Sequence, residues 1–343
     1  MQLAVWRFLA GLMVPLFMAC SGGSSTPAPA THVYVAGYSV NAAGFNVATL
    51  WKNGAAIPLS DGTTHAAART LIAAGRDLYA AGYVRNAAGF QVTAYWRNGD
   101  PVFLSNGATN SLANGIAVAG TDVHVVGRQL NAAKKAVAMY WKNGVATPLS
   151  DGTTDGFAYS VALLNGDVYV AGFVTNPAGV IVATLWKNGA PAALSDGLRM
   201  GKAYGLAVLG GELYVTGFKV NVAGVMTATY WKNGTPAAIS DGTTQADAFF
   251  PALLGPELSF AGYLANASGV WVATYWRNGV AFPLTDGRYD AELFTLAQVG
   301  ADIYTAGYEL NAAGGLTGKY WKNSTPVLLT LDGEASALAI VTE

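Results

Sequence analysis

Val225-Met-Thr-Ala-Thr-Tyr-Trp-Lys-Asn-Gly234 reads as a strand running into a tight turn. Its β-branched and aromatic side chains favour an extended chain. Asn-Gly then supplies the two positive-φ residues that a type I′ hairpin needs. The same ending recurs at Trp51, Trp96, Trp141, Trp186, Trp231, Trp276 and Trp321, 45 residues apart each time, and only Trp6 and Trp271 fall outside the series. A second ladder, Gly37, Gly82, Gly127, Gly172, Gly217, Gly262 and Gly307, closes a Val-Tyr-Val-Ala-Gly-like run in every unit. Self-similarity at this period denotes a propeller, solenoid or array.

Residues 206–250 show one unit. Leu206-Ala-Val-Leu209 is a short apolar run ended by the tight-turn signal Gly210-Gly-Glu212. Leu213-Tyr-Val-Thr-Gly-Phe218 is a second strand, and Asn221-Val-Ala-Gly224 turns the chain into a third, Val225 to Trp231. Pro236-Ala-Ala-Ile239 is a brief fourth strand, where proline suits an edge, and Ser240-Asp-Gly-Thr-Thr244 leads to the next unit. No segment has helical periodicity. The expected fold is all-β: a seven-bladed β-propeller of four-stranded antiparallel blades over residues 32–343.

The chain enters on the second strand type, His32-Val-Tyr-Val-Ala36, and leaves on the first, Ser336-Ala-Leu-Ala-Ile-Val341. The C-terminal strand is therefore expected to complete the N-terminal blade and close the ring without free edges. An open solenoid is the alternative, but it needs distinct terminal caps, and the sequence has none. Alternate inner positions are small, as in Ala113, Gly115 and Ala117 or Ala203, Gly205 and Ala207, so seven strands can converge near an axis.

Charged residues make up 11% of the 343 and hydrophobic residues 52%, against roughly 25% charged in ordinary soluble domains. Beyond the N-terminus no apolar stretch approaches the ~18 residues that cross a bilayer. A net charge of −1 gives no electrostatic case for nucleic acid. Residues 1–19 have the form of a signal peptide: Arg7 precedes the apolar run Phe8 to Ala19. Cys20 is the single cysteine, and residues 20–31 form an anchor and a flexible Ser/Gly/Pro tether.

Leu16-Phe-Met-Ala-Cys20 resembles the bacterial lipoprotein signal, departing from it at Phe17, where leucine is usual. The resemblance implies lipidation of Cys20, and Ser21 after it resembles the outer-membrane sorting pattern. Export to the outer membrane or cell surface is expected, with the lipid as the sole membrane contact. An ordinary signal peptide, giving a secreted or periplasmic protein, is the alternative. A monomer is expected.

Residues common to the units read as structure. The tryptophans are expected to pack between blades, with Lys52, Arg97, Lys142, Lys187, Lys232, Arg277 and Lys322 beside them at exposed turns. A ring of cation–π or sugar-stacking sites there is the functional alternative. Asn41 and its six equivalents start the second turn. Asp61, Asp151, Asp196, Asp241, Asp286 and Asp332 precede glycine in the links between blades, with Asn106 in that place once. Backbone capping explains them better than a calcium ring, because calcium takes six to eight oxygens. A further six acids close the first hairpin. Asp100, Asp155, Asp247, Asp290, Glu292, Glu309, Glu334 and Glu343 remain outside both repeated roles.

Differences among the units concentrate after the Asp-Gly link and around the Asn-x-x-Gly turn, which emerge on one face. Near the channel mouth the equivalent residue is Arg69, Asn114, Tyr159, Tyr204, Phe249, Phe294 and Ser336, and two places earlier stand Ala67, Leu112, Phe157, Lys202, Asp247 and Glu292. Rings with scattered polar groups suit sugars or peptide segments. The candidate ligand site is therefore Arg69, Asn114, Tyr159, Lys202, Tyr204, Asp247, Phe249, Glu292 and Phe294; packing between blades is the plainer alternative. Catalysis is weakly indicated. His32, His65 and His124 occupy unrelated repeat positions, and no metal or nucleophile motif is present. Only Asp247, Asp290 and Glu292 could serve as paired carboxylates for glycan cleavage. No cofactor and no metal are expected.

The unit Val-Ala-Thr-Tyr-Trp-Lys-Asn-Gly followed by Leu-Ser-Asp-Gly resembles bacterial extracellular propeller repeats, loosely those of HAF type, and does so from residue 33 to 343. The surrounding glycine pattern departs from that family. The resemblance implies location more than activity. The expected function is a non-catalytic surface binding platform for a glycan or protein ligand. A structural repeat protein without a specific ligand and a glycan-cleaving hydrolase or lyase are the alternatives.

Overall fold

The structure is a computed structural model, described over residues 30–342. The signal segment and Cys20 lie outside the described residues. Those residues form seven four-stranded antiparallel sheets and no helix. The second blade is representative. Its inner strand Ala66–Ala74 pairs with Asp77–Arg85, then Gln91–Arg97, then the outer strand Asp100–Phe103. In the fifth blade the inner strand Gly201–Leu209 begins before the apolar run Leu206–Leu209 and the second, Glu212–Val220, extends beyond Leu213–Phe218, whereas the third and fourth strands have the expected lengths.

Ring closure is as the sequence predicts. The C-terminal strand Gly333–Thr342 pairs with Thr31–Val40 as the inner strand of the first blade, from Thr31 opposite Thr342 to Ser39 opposite Gly333. Inner strands approach closely: a Cβ on Gly205 would lie 2.1 Å from the Phe249 carbonyl oxygen of the next blade. The outer strands are exposed and short, and each carries a proline: Pro58, Pro101, Pro148, Pro191, Pro236, Pro283 and Pro326. Proline cannot donate to a further strand, so the rim of each sheet is blunted against edge pairing.

The core lies between blades. Each of the seven repeated tryptophans is at most 2% exposed. Trp231 packs on Ala171, Leu185 and Leu194 of the fourth blade and on Leu206 and Val215 of its own. Its Nε1 donates to the Leu194 carbonyl at 2.8 Å, as Trp186 does to Leu149. Burying ~200 Å² of indole is worth about 5 kcal/mol before ordering costs. The neighbouring cations serve their own blades. Lys142 pairs with Asp122 at 2.7 Å and Lys187 with Asp167 at 2.8 Å, and Arg97, Lys232, Arg277 and Lys322 pair likewise with the acid of the first hairpin. Lys187 also lies over Tyr169 at 5.5 Å. These side chains are engaged within the blade, which argues against a ring of sugar-stacking sites at that end.

The opposite end is tied together by the asparagine ladder. Asn86 Nδ2 donates to the Gly107 carbonyl at 3.0 Å while its Oδ1 accepts from Phe90 N–H, so one side chain joins the turn to the interblade link. Asp61 Oδ1 accepts from both N–H and hydroxyl of Thr63, the backbone cap expected of it.

Candidate functional site

Every inner strand carries one extra residue at the same height. The register slips between Ala68 and Thr70, between Ala113 and Gly115, and at the matching point of the other five blades. The seven unpaired residues are Arg69, Asn114, Tyr159, Tyr204, Phe249, Phe294 and Ser336. A β-bulge re-aims a side chain out of the pleat, and here each lines the central channel. The glycine ladder explains why the bulge is tolerated. Gly82 faces the bulge, and a Cβ there would stand 1.9 Å from the Ala67 carbonyl oxygen; the same distance holds at all seven ladder positions. These glycines are kept for close approach and not for positive φ, which none of them adopts.

The channel encloses about 1120 Å³. Its depths are apolar, with Ile72, Val118, Leu163, Val208 and Ile340 among the lining side chains. At the mouth, four rings on consecutive blades make a continuous shelf: Tyr159 to Tyr204 is 4.9 Å between centroids, Tyr204 to Phe249 5.2 Å and Phe249 to Phe294 5.4 Å. The remaining arc is polar. Arg69 Nε donates to Asn114 Oδ1 at 3.1 Å, and Asn114 Nδ2 donates to the Ala158 carbonyl at 2.9 Å, stitching three blades.

Behind the bulge residues stands a second tier, in which each position two places earlier pairs with the residue after the ladder glycine. Leu112 faces Arg128, Lys202 faces Phe218, Asp247 faces Tyr263, Glu292 faces Tyr308 and Glu334 faces Tyr38. Three consecutive blades thus each hold a carboxyl opposite a tyrosine. Asp247 is 3% exposed; one oxygen accepts from the Ala248 N–H at 2.8 Å. Burial pushes its carboxyl well above the usual range against that hydrogen bond, and Glu292 raises it further. Glu292 is pushed up to about 7, first by burial, with Glu334 and Asp290 adding repulsion and the Tyr308 hydroxyl opposing by hydrogen bonding. Burial raises the Tyr159 and Tyr38 hydroxyls to about 12. Burial also lowers the affinity of Lys202 and Arg128 for their protons. Lys202 Nζ lies over Phe173 at 5.4 Å and Tyr204 at 5.9 Å, and the Arg128 guanidinium over Phe157 at 4.9 Å.

Of the candidates, Arg69, Asn114, Tyr159, Tyr204, Phe249, Glu292 and Phe294 line the channel; Lys202 and Asp247 sit in the tier behind them. Asp290 acts on Glu292 by repulsion and also has a structural task. Its Oδ1 accepts from the Trp271 N–H at 2.8 Å, the strand cap that Asp155 gives Ala136 and Asn110 gives Gln91. Glu334 adds a further carboxyl to the row. The histidines are elsewhere: His65 caps Asn46 N–H, and His124 is buried against Tyr140. Arg128, Tyr38, Tyr263, Tyr308 and Glu334 are site residues that the sequence reading passed over. The signal was present, since the residue after each ladder glycine varies among tyrosine, phenylalanine and arginine.

No protein-family model matches the chain, and no curated protein matches it. Among solved structures it is similar to a puromycin-hydrolysing peptidase of Mycobacterium tuberculosis, at 15% identity and a TM-score of 0.49. That alignment covers 76% of this chain and 46% of the peptidase, so the chain spans about half of that protein's length. A structure described as TolB from Agrobacterium tumefaciens is similar at 11% identity and a TM-score of 0.41, covering 71% of this chain and 94% of that one. Neither likeness names an activity for this chain.

Proposed function

We propose that the protein is a non-catalytic binding platform whose ligand, a glycan or a protein segment, is held at the bulge-built mouth of the channel. One observation carries the reading. The far end repeats the same ion pair on six blades, whereas seven bulges at the mouth present side chains of different chemistry. An aromatic shelf beside hydrogen-bonding groups is suited to a sugar or peptide. The proposal extends to a monomer exported to the outer membrane or cell surface and held there by a lipid on Cys20. The sequence around Cys20 supports this, and a Cys20→Ser protein that still partitioned into detergent like the wild type would remove it.

The test is retention on glycan and peptide arrays by the protein and by its Tyr159→Ala and Tyr204→Ala variants. Retention that both variants lose, with unfolding behaviour unchanged, supports the mouth. Retention that neither affects refutes it. A second reading has one observation in its favour: a Glu292 carboxyl poised near 7 suits a general acid. Glycan cleavage that survives Glu292→Gln would dispose of that role.

A further inference from the structure

Charge at the mouth is sorted by blade. Arg69, Arg128 and Lys202 come from the second, third and fifth blades, and Asp247, Glu292 and Glu334 from the sixth, seventh and first. Among the described residues none of these six has an ion-pair partner, although six blades pair theirs at the far end. Asp247 is the sharpest case. It is 3% exposed, it accepts from the Ala248 N–H, and Lys202 acts on it without forming an ion pair. Lys202 and Arg128 lie against ring faces, with Asp247 in the field of Lys202 and Asp155 in that of Arg128, and neither forms an ion pair. A half-buried carboxyl without a counter-ion is held towards its neutral form, and a cationic ligand group would favour the ionised one.

A neutral sugar would complete neither sign. A chain end with both an ammonium and a carboxylate would complete both, and the shelf from Tyr159 to Phe294 offers its side chains four rings. We propose that the mouth takes a short peptide with free termini, its α-ammonium group against Glu292 and Glu334 and its α-carboxylate against Arg69, with Asp247, Arg128 and Lys202 setting the field from the tier behind. The proposal rests on the mouth being a ligand site and narrows the ligand to one class.

A consequence separates this ligand from a neutral one. Glu292 is faced by Tyr308 and Asp290 and lies in the field of Asp247 and Glu334; Asp247 is in turn influenced by Lys202. In that surrounding Glu292, pushed up to about 7, keeps part of its proton near neutral pH, and an arriving ammonium group favours its ionised form. Binding therefore releases protons.

The test is calorimetric titration of the full-length protein at pH 6.5 with the tripeptide Ala-Tyr-Ala, its N-acetylated form, its C-amidated form and the doubly capped form. The free peptide is expected to bind with a heat that changes with the ionisation enthalpy of the buffer. Either cap should weaken binding tenfold or more, and acetylation should abolish the buffer dependence. Glu292→Gln should weaken the free peptide more than the acetylated one, and Arg69→Gln should weaken it more than the amidated one. The capped series needs no variant, so a misfolded variant does not blunt it. Equal affinity for free and capped peptides would overturn the ligand class, as would failure of all four to bind. Either result leaves the mouth standing if an array ligand is still lost in Tyr204→Ala. Retention indifferent to Tyr159→Ala and Tyr204→Ala sinks the mouth itself.

Discussion

Gly172→Ala is expected to unfold the propeller disproportionately for the addition of one methyl group. The new Cβ would stand 1.9 Å from the Phe157 carbonyl oxygen, 2.9 Å from its carbon and 2.9 Å from Trp186 Cζ3. An ordinary carbon–oxygen contact is about 3.3 Å, so the strands would have to part by more than an ångström. Relief by a side-chain rotation is unavailable, because the nearest atoms are backbone. Overpacking a well-filled core costs about 1–3 kcal/mol. Loss of the bulge and of the Trp186 packing places Gly172→Ala at the top of that range or beyond. The control is Gly144→Ala, at φ +85° with nothing within 4 Å of its Cβ. It pays only for left-handed backbone, about 1 kcal/mol. Urea unfolding followed by tryptophan fluorescence reads both. A Gly172→Ala protein no less stable than Gly144→Ala would refute the reasoning that the ladder exists to admit the bulge.

Other outcomes follow from the same geometry. Trp231→Ala should cost about 3–5 kcal/mol by emptying an interblade pocket, and Trp231→Phe less, with the Leu194 carbonyl losing its donor; denaturant midpoints check both. Glu292 binds its proton more tightly folded than unfolded, so stability should fall as pH rises from about 4.5 to about 7 and stay low above that. The full effect is on the order of 3 kcal/mol, and Glu292→Gln should remove it from a stability profile against pH. Deleting the strand Gly333–Thr342 should expose the ladder edge of Thr31–Val40 and raise aggregation or edge pairing above that of the intact chain, seen by light scattering.

The ring was legible because its determinants repeat. Tryptophan at an unvarying spacing, Asn-Gly turns and a strand type missing from one end and present at the other each leave a mark in one dimension. The bulges left none. An extra residue present in every unit does not disturb the period, so Arg69 and its counterparts look like ordinary strand positions until pairing is known. The ladder glycine likewise shows in the sequence only as a repeat, and the neighbouring carbonyl that requires it appears with the strand pairing. Asp290 carries a structural role that its acidity concealed. Aligning it with His65, Asn110, Asp155 and Gln245, all of which accept a strand N–H, reveals a cap. Glu334 stands two places before Ser336, as the other second-tier residues stand before theirs, and the shorter link into the last strand takes both out of the 45-residue step.

Amide hydrogen exchange with an array-selected probe bound tests the central claim most directly. Added protection should fall on the seven bulge segments, 67–70, 112–115, 157–160, 202–205, 247–250, 292–295 and 334–337, and spare the Asn-Gly hairpins at the other end. Protection confined to those hairpins or to the outer strands would contradict the assignment of the mouth as the working surface.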